Sequence, residues 1–380
     1  MQSYWDIYRG RTKALAFLLL LFAGVPFKNL LAQNSPSDSF ESLAAAAAAA
    51  QEAEHIPQAM ELYKQALLLN PNWPEGWWSL GMLQYGSESY ADAAGAFSHF
   101  LTLRPDAGEA LALRGLCEFE TGEYAQSLAD IQQGLARGAA DDAQHEQILR
   151  YHHAMLLTRL GRFGQALKAY SAFAEHGLSS PDLLVAIGIA GLRMPLLPKD
   201  ISPDQRALLS AVGDATFKFM AGDQKAAQQA FEDLFQRFPN ARNAHYHYGN
   251  LLLAFGPEAA VPRFRKELEV APDNADALTM LAWSLLLENR AEEALPYAKR
   301  IAKEKPDLAA SQLVYGRALA GTGNIGAGIE HLQQASKLEP DNLEVHIALA
   351  KALANSGRDE EARRERALCM QMTRNAATHP

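Results

Sequence analysis

Residues 74–105 read PEGWWSLGMLQYGSESYADAAGAFSHFLTLRP, and this stretch decides the fold. Its apolar residues recur at i, i+3 and i+4, as in Phe97-Ser98-His99-Phe100-Leu101, which is the spacing of an amphipathic helix. The same spacing occurs in Tyr63-Lys64-Gln65-Ala66-Leu67. Two small residues, Gly81 and Ala93, interrupt the bulky faces, and Pro105 ends the stretch. Two antiparallel helices explain all three features. Small side chains let helix axes approach to about 8–10 Å, and proline fixes a helix stop.

The pattern recurs along the chain. One small-residue series runs Gly81, Gly115, Ala154, Gly188, Ala215, Gly249, Ala282, Gly316 and Ala350, mostly in steps of 33 or 34. A second runs Ala59, Ala93, Ser127, Ala166, Ala227, Ala260, Ala294, Gly328 and Ala362. The prolines Pro71, Pro105, Pro239, Pro272, Pro306 and Pro340 keep the same beat. Four of them lead into Asn72, Asp273, Asp307 and Asp341, which are expected to cap the following helices. No stretch reads as a strand, so the fold class is all-α. A repeat of this length is one supersecondary unit that buries its apolar face only by stacking on its neighbours.

The unit Trp77-x-x-Leu80-Gly81 … Ala93-x-x-x-Phe97 … Pro105 resembles the tetratricopeptide-repeat family at nearly every marked place, with Tyr85 one residue beyond the usual aromatic. Similar units start near Phe40, Pro74, Gly108, Gln147, Leu208, Arg242, Ala275, Ala309 and Leu343, so the resemblance covers roughly residues 40–372. It implies an α-solenoid, a right-handed superhelix of about nine helix-turn-helix repeats. It also implies a concave groove built from the first helix of each unit, with proteins or peptides as partners.

Two departures suggest where the array bends. Arg137-Gly138-Ala139-Ala140 stands where proline is expected, and the step to the next unit is 39. Further on, residues 195–203 (Pro-Leu-Leu-Pro-Lys-Asp-Ile-Ser-Pro) replace a second helix. Ser202 is expected to cap a new helix with Pro203 at its first position. The expected organisation is therefore an N-terminal subarray over 40–194, a hinge over 195–203, a C-terminal subarray over 204–372 and a disordered tail over 373–380.

The N-terminus has a different composition. Arg9, Arg11 and Lys13 precede an apolar run from Ala14 to Phe27, followed by Leu30-Leu31-Ala32. This is the arrangement of a secretory signal over 1–32, with a polar linker over 33–39. The run is shorter than the roughly 20 residues a bilayer span needs. A periplasmic or secreted location follows as an expectation, with membrane attachment only through an uncleaved signal. The chain has a net charge of −9, and without its first 32 residues, which carry +3, the charge is −12. Such a surface repels phosphate backbones, so nucleic acid is not an expected partner. Cys117 and Cys369, 252 residues apart, are expected to be free thiols packed inward rather than a disulfide.

No catalytic constellation, metal site or cofactor site is expected, and the reading is of a non-enzyme. Gly321-Thr322-Gly323-Asn324-Ile325-Gly326 spells a dinucleotide fingerprint but falls on an inter-helix turn, not between a strand and a helix. His152-His153 and His245-x-His247 do not share a helix face at ligand spacing. Carrying the groove positions over from the resemblance gives Trp78, Met82, Tyr85, Phe119, Tyr151, Met155, Phe219, Met220, Tyr246, Asn250, Trp283, Arg317 and Lys351 as candidate binding residues. Aromatic and methionine side chains there offer adaptable contact area. The expected function is an exported scaffold that binds peptide segments or partner helices. The alternative is a non-catalytic accessory subunit of an envelope enzyme, polysaccharide or secretion complex.

Overall fold

The computed structural model describes residues 39–140 and 142–378, so the expected signal and most of the linker lie outside the described residues. The described residues form nineteen α-helices and no strand. They divide into two compact units, one ending at Tyr170 and one starting at Ser171.

The first unit stacks helical hairpins. These are α1 (Phe40–Glu52) with α2 (Ile56–Leu69), α3 (Pro74–Gly86) with α4 (Tyr90–Leu103), and α5 (Gly108–Thr121) with α6 (Tyr124–Ala136). They are followed by α7 (Ala143–Arg159) and the start of α8 (Phe163–Glu175). The small residues sit where the pattern placed them. A Cβ on Gly81 would come within 2.9 Å of the Phe97 ring, and one on Gly115 within 2.9 Å of Ile131. Ser127 fills the matching place by donating its hydroxyl to the Gly115 carbonyl at 2.6 Å, which pairs a buried polar group.

The second unit opens with a helix that has no hairpin partner of its own, α9 (Pro181–Gly191). It packs on α10 (Pro203–Met220), which pairs with α11 (Gln224–Arg237). Four hairpins follow: α12 (Ala244–Leu252) with α13 (Pro257–Val270), α14 (Ala275–Leu287) with α15 (Ala291–Glu304), α16 (Ala309–Gly321) with α17 (Ile325–Leu338), and α18 (Leu343–Asn355) with α19 (Asp359–Thr378). Ser202 and Gln205 form a capping box at the start of α10, with Pro203 at its first turn, as the sequence implied.

Three expectations are corrected here. The proline-rich stretch 195–203 is not where contacts thin out. A Cβ on Gly188 would land on the Leu209 carbonyl and one on Gly213 on the Leu184 carbonyl, so α9 and α10 meet backbone to backbone. Between them, Ile201 is buried in the same core as Leu209 and Val212, and Leu197 is buried as well. The residues directly after the prolines do not cap. The caps fall one residue later, at Asn274 and Asn342, whose side chains accept from the Ala277 and Val345 amides at 3.1 and 3.3 Å, while Asp273 pairs with Arg242 at 2.9 Å. Finally, α19 continues to Thr378, through residues expected to be tail.

The prolines have a second role, because their carbonyls anchor the next first helix. Trp77 Nε1 donates to the Pro71 carbonyl at 2.8 Å, and Gln312 Nε2 to that of Pro306 at 2.8 Å. His346 Nε2 lies 2.9 Å from the Pro340 carbonyl. Three different donors at one register make the same tether.

Candidate functional site

The candidate residues separate by unit. Met82, Phe119, Tyr151 and Met155 in the first unit are buried, and so is Tyr246 in the second. They are core rather than open surface, because adjacent helices close over them. Phe119 meets His152 of the next first helix edge-on at 5.0 Å, and Tyr151 leans on Tyr170 at 6.5 Å. Trp78 is half-buried against Phe97 and Phe100, and Tyr85 is half-buried against Tyr90. Apolar side chains thus fill the spaces between first helices in this unit.

In the second unit the same face is polar and more open. The first helices lie side by side, α14 against α16 and α16 against α18. Trp283 on α14 is half-buried, and the Arg317 guanidinium of α16 lies over its ring at 4.5 Å. One Arg317 nitrogen donates to Glu344 Oε1 on α18 at 3.1 Å. Burial holds the Arg317 pKa below its ordinary value, and the Glu344 carboxylate opposes that shift. Lys351, two turns beyond Glu344, is exposed, as is Ile347 between them. Asn250 is half-buried, and its Nδ2 donates to the Tyr246 carbonyl at 3.1 Å.

Two further features of this face come from outside the first helices. Arg193, in the connection after α9, lies over the Tyr246 ring at 5.6 Å and pairs with Asp276 of α14 at 3.1 Å. Phe219 and Met220 are half-buried at the end of α10, and Phe255 meets Phe219 edge-on at 5.9 Å while remaining 47% exposed. Phe255 is thrust outward by a turn one residue shorter than its counterparts. Gly249 and Ala260 are 11 apart, against 12 for Gly81 and Ala93 or Gly316 and Gly328. The chain makes up the length by winding Leu253–Phe255 as a 3-10 turn and turning at Gly256 with φ 117°. Sequence reasoning missed Arg193 because it lies on no first helix. The shortened step that exposes Phe255 was legible.

The histidines are engaged structurally. The Thr216 hydroxyl and His247 Nε2 are 2.7 Å apart, His245 stacks on Phe235 at 3.8 Å, and His152 Nδ1 bonds the Ile148 carbonyl at 2.8 Å. Burial pushes His247 down to about 4, and burial followed by Arg263 does the same to His245. Of the fingerprint-like glycines, Gly321 ends α16, Gly323 turns between the helices at φ 91° and Gly326 lies in the first turn of α17, so the motif is a helix–turn–helix connection.

Tetratricopeptide-repeat models match residues 79–143, 256–309 and 319–365. Cellulose synthase operon protein C of Xanthomonas axonopodis pv. citri is 30% identical over 150 residues, which cover 37% of this chain and 10% of its own length. Protein FlbA of Caulobacter vibrioides is 31% identical over 146 residues, covering 37% of this chain and 24% of its own length. The chain therefore spans about a tenth and about a quarter of these two relatives. Among solved structures, MamA from Desulfovibrio magneticus RS-1 is 21% identical with a TM-score of 0.40, over 44% of this chain and 96% of its own. YrrB, described as a TPR protein with an unusual peptide-binding site, is 18% identical with a TM-score of 0.38, over 43% and 84%. Close crossings that repeat from Gly81 to Gly316, together with three matched stretches, show that the chain is a tetratricopeptide-repeat protein, an α-solenoid of the protein-interaction scaffold class.

Proposed function

We propose that the chain is an exported, non-catalytic scaffold whose second unit holds a segment of a partner polypeptide on its first-helix face. The observation that carries this reading is the row on α14, α16 and α18, where the Arg317 guanidinium lies over the half-buried Trp283 ring and the next first helix carries the exposed Lys351. Aromatic and arginine side chains of this kind carry most of the binding energy in protein interfaces. The test is binding of the full chain to envelope polypeptides and polysaccharides, with Trp283→Ala as the reporter of site. Polypeptide binding weakened by that change supports the reading. Binding of polysaccharide alone refutes it.

Export rests on the basic residues and apolar run of residues 1–32. Fractionation of the native host, with N-terminal sequencing of the recovered chain, tests it. Cytoplasmic recovery of an intact N-terminus contradicts it. A second reading is favoured by the relative named cellulose synthase operon protein C: an accessory subunit in an envelope polysaccharide complex, still acting by holding another protein.

A further inference from the structure

In the regular hairpins a second helix packs on the first helix that follows it, and the contact keeps one register. The residue four places after the small residue of the second helix shares a core with the residue just before the small residue of the next first helix. Tyr63 with Leu80, Phe264 with Leu281, and Leu332 with Leu349 are three such pairs. At α10 this register is broken. No second helix lies between α9 and α10, and the residue just before Ala215 is Asp214 instead of an apolar one. On that side α10 and α11 form a groove of about 280 Å³, walled by Ala211, Asp214 and Lys218 on one helix and Ala230 and Leu234 on the other. Ala211 stands where Trp77, Leu278 and His346 stand on other first helices, which leaves room for a large side chain. Asp214 accepts from Lys218 at 2.6 Å, and its side chain remains 43% exposed.

The converse departure falls on α19, a second helix that covers no first helix among the described residues. Four places after its small residue Ala362 stands Arg366, where Tyr63, Phe264 and Leu332 stand on other second helices. Eight places after it stands Met370, in the place of Leu67. Leu67 is buried in the core that holds Leu80, whereas Arg366 is exposed and Met370 is 63% exposed. The groove thus carries an acid, and the uncovered helix a base, at the two places that meet in every other pair named above. We propose that α19 of a second copy of this chain seats in the α10–α11 groove, with Arg366 paired to Asp214 and Met370 filling the space over Ala211. A groove in the place of a second helix, a second helix with nothing to cover, and opposite charges at the matching register select a second copy over a helix of another protein. The contact joins different surfaces of the two copies, so association closes a ring or extends as a chain of copies. It lies apart from the row on α14, α16 and α18 and does not depend on the partner-binding reading.

The test is sedimentation velocity of the full chain over a range of concentrations. The parent chain is expected to associate reversibly, and more weakly as salt rises, because the central pair is ionic. Asp214→Arg and Arg366→Asp should each weaken association about tenfold by setting like charges against each other. Mixed one to one, the two variants should regain it, since each groove then meets an α19 of opposite charge. A merely structural loss does not give that recovery. Met370→Gln, at an exposed position, should weaken association with the charges left intact, and far-UV circular dichroism checks that every variant keeps its helices. A chain that stays monomeric at every concentration overturns the proposal. So does an oligomer that neither charge reversal moves, or a mixture of the two weakened variants that fails to recover.

Discussion

Replacing one glycine at a helix crossing and another in the same hairpin separates the effect of close approach from the effect of removing glycine. A Cβ on Gly316 would lie 2.7 Å from Leu332 Cγ, 2.8 Å from the Gly328 carbonyl oxygen and 3.1 Å from the Leu332 amide nitrogen. Two of those atoms are backbone, and Leu332 is fully buried, so neither side has room to yield. A Cβ on Gly326, in the partner helix α17, meets nothing within 4 Å. Both Gly→Ala changes reduce unfolded-chain entropy and improve helix propensity by about 0.5–1 kcal/mol. That shared gain cancels in the comparison. The remainder is the overpacking cost at Gly316, about 1–3 kcal/mol. Urea unfolding followed by far-UV circular dichroism should therefore place Gly316→Ala below the parent chain and Gly326→Ala level with it or above. Equal midpoints for the two variants would refute the claim that small residues are required at the crossings.

Other outcomes follow from single contacts. Glu267 is fully buried and accepts from the Asn243 and Tyr246 amides at 2.7 and 3.2 Å, capping α12 from a neighbouring helix. Glu267→Ala should cost about 1–3 kcal/mol in chemical denaturation, because both amides lose their partner. Burial, followed by the Asp130 charge, pushes the Glu118 carboxyl up to about 7 from 4.5. The folded state then binds more protons than the unfolded chain between those values, so stability should fall as pH rises from about 4.5 to 7. Glu118→Gln should remove that slope in melting curves taken across the window. Burial pushes the Cys117 thiol up to about 12, whereas Cys369 is half-buried near the chain end. Maleimide should label Cys369 first in the native chain and reach Cys117 only after denaturation.

Much of the architecture was legible because it rests on short-range rules. The crossings at Gly81, Gly115, Gly249 and Gly316 require a small side chain whatever surrounds them, so their spacing showed in the sequence. The cap positions were less legible. Asn274 and Asn342 cap while Asp273 does not, and the difference of one residue depends on where the chain leaves the preceding turn. The division of the chain was misplaced for a similar reason. Pro195 and Pro198 signal an interrupted helix, but the backbone contacts that bind the flanking helices, Gly188 with Leu209 and Gly213 with Leu184, pair residues far apart in sequence. Groove positions transferred by register fall on half-buried places for Trp283 and Arg317 and on an exposed one for Lys351. They failed for Phe119 and Tyr151 because exposure depends on the size of side chains on the next helix, which register alone does not specify.

The most direct measurement is photo-crosslinking of the bound partner polypeptide from single reactive side chains placed on the two faces of the second unit. Ile347 and Lys351 mark the first-helix face, and the exposed Gln229 and Glu330 mark the second helices. Crosslinks from positions 347 and 351, with none from 229 and 330, are the expected result. Crosslinks confined to 229 and 330 would contradict a first-helix binding face.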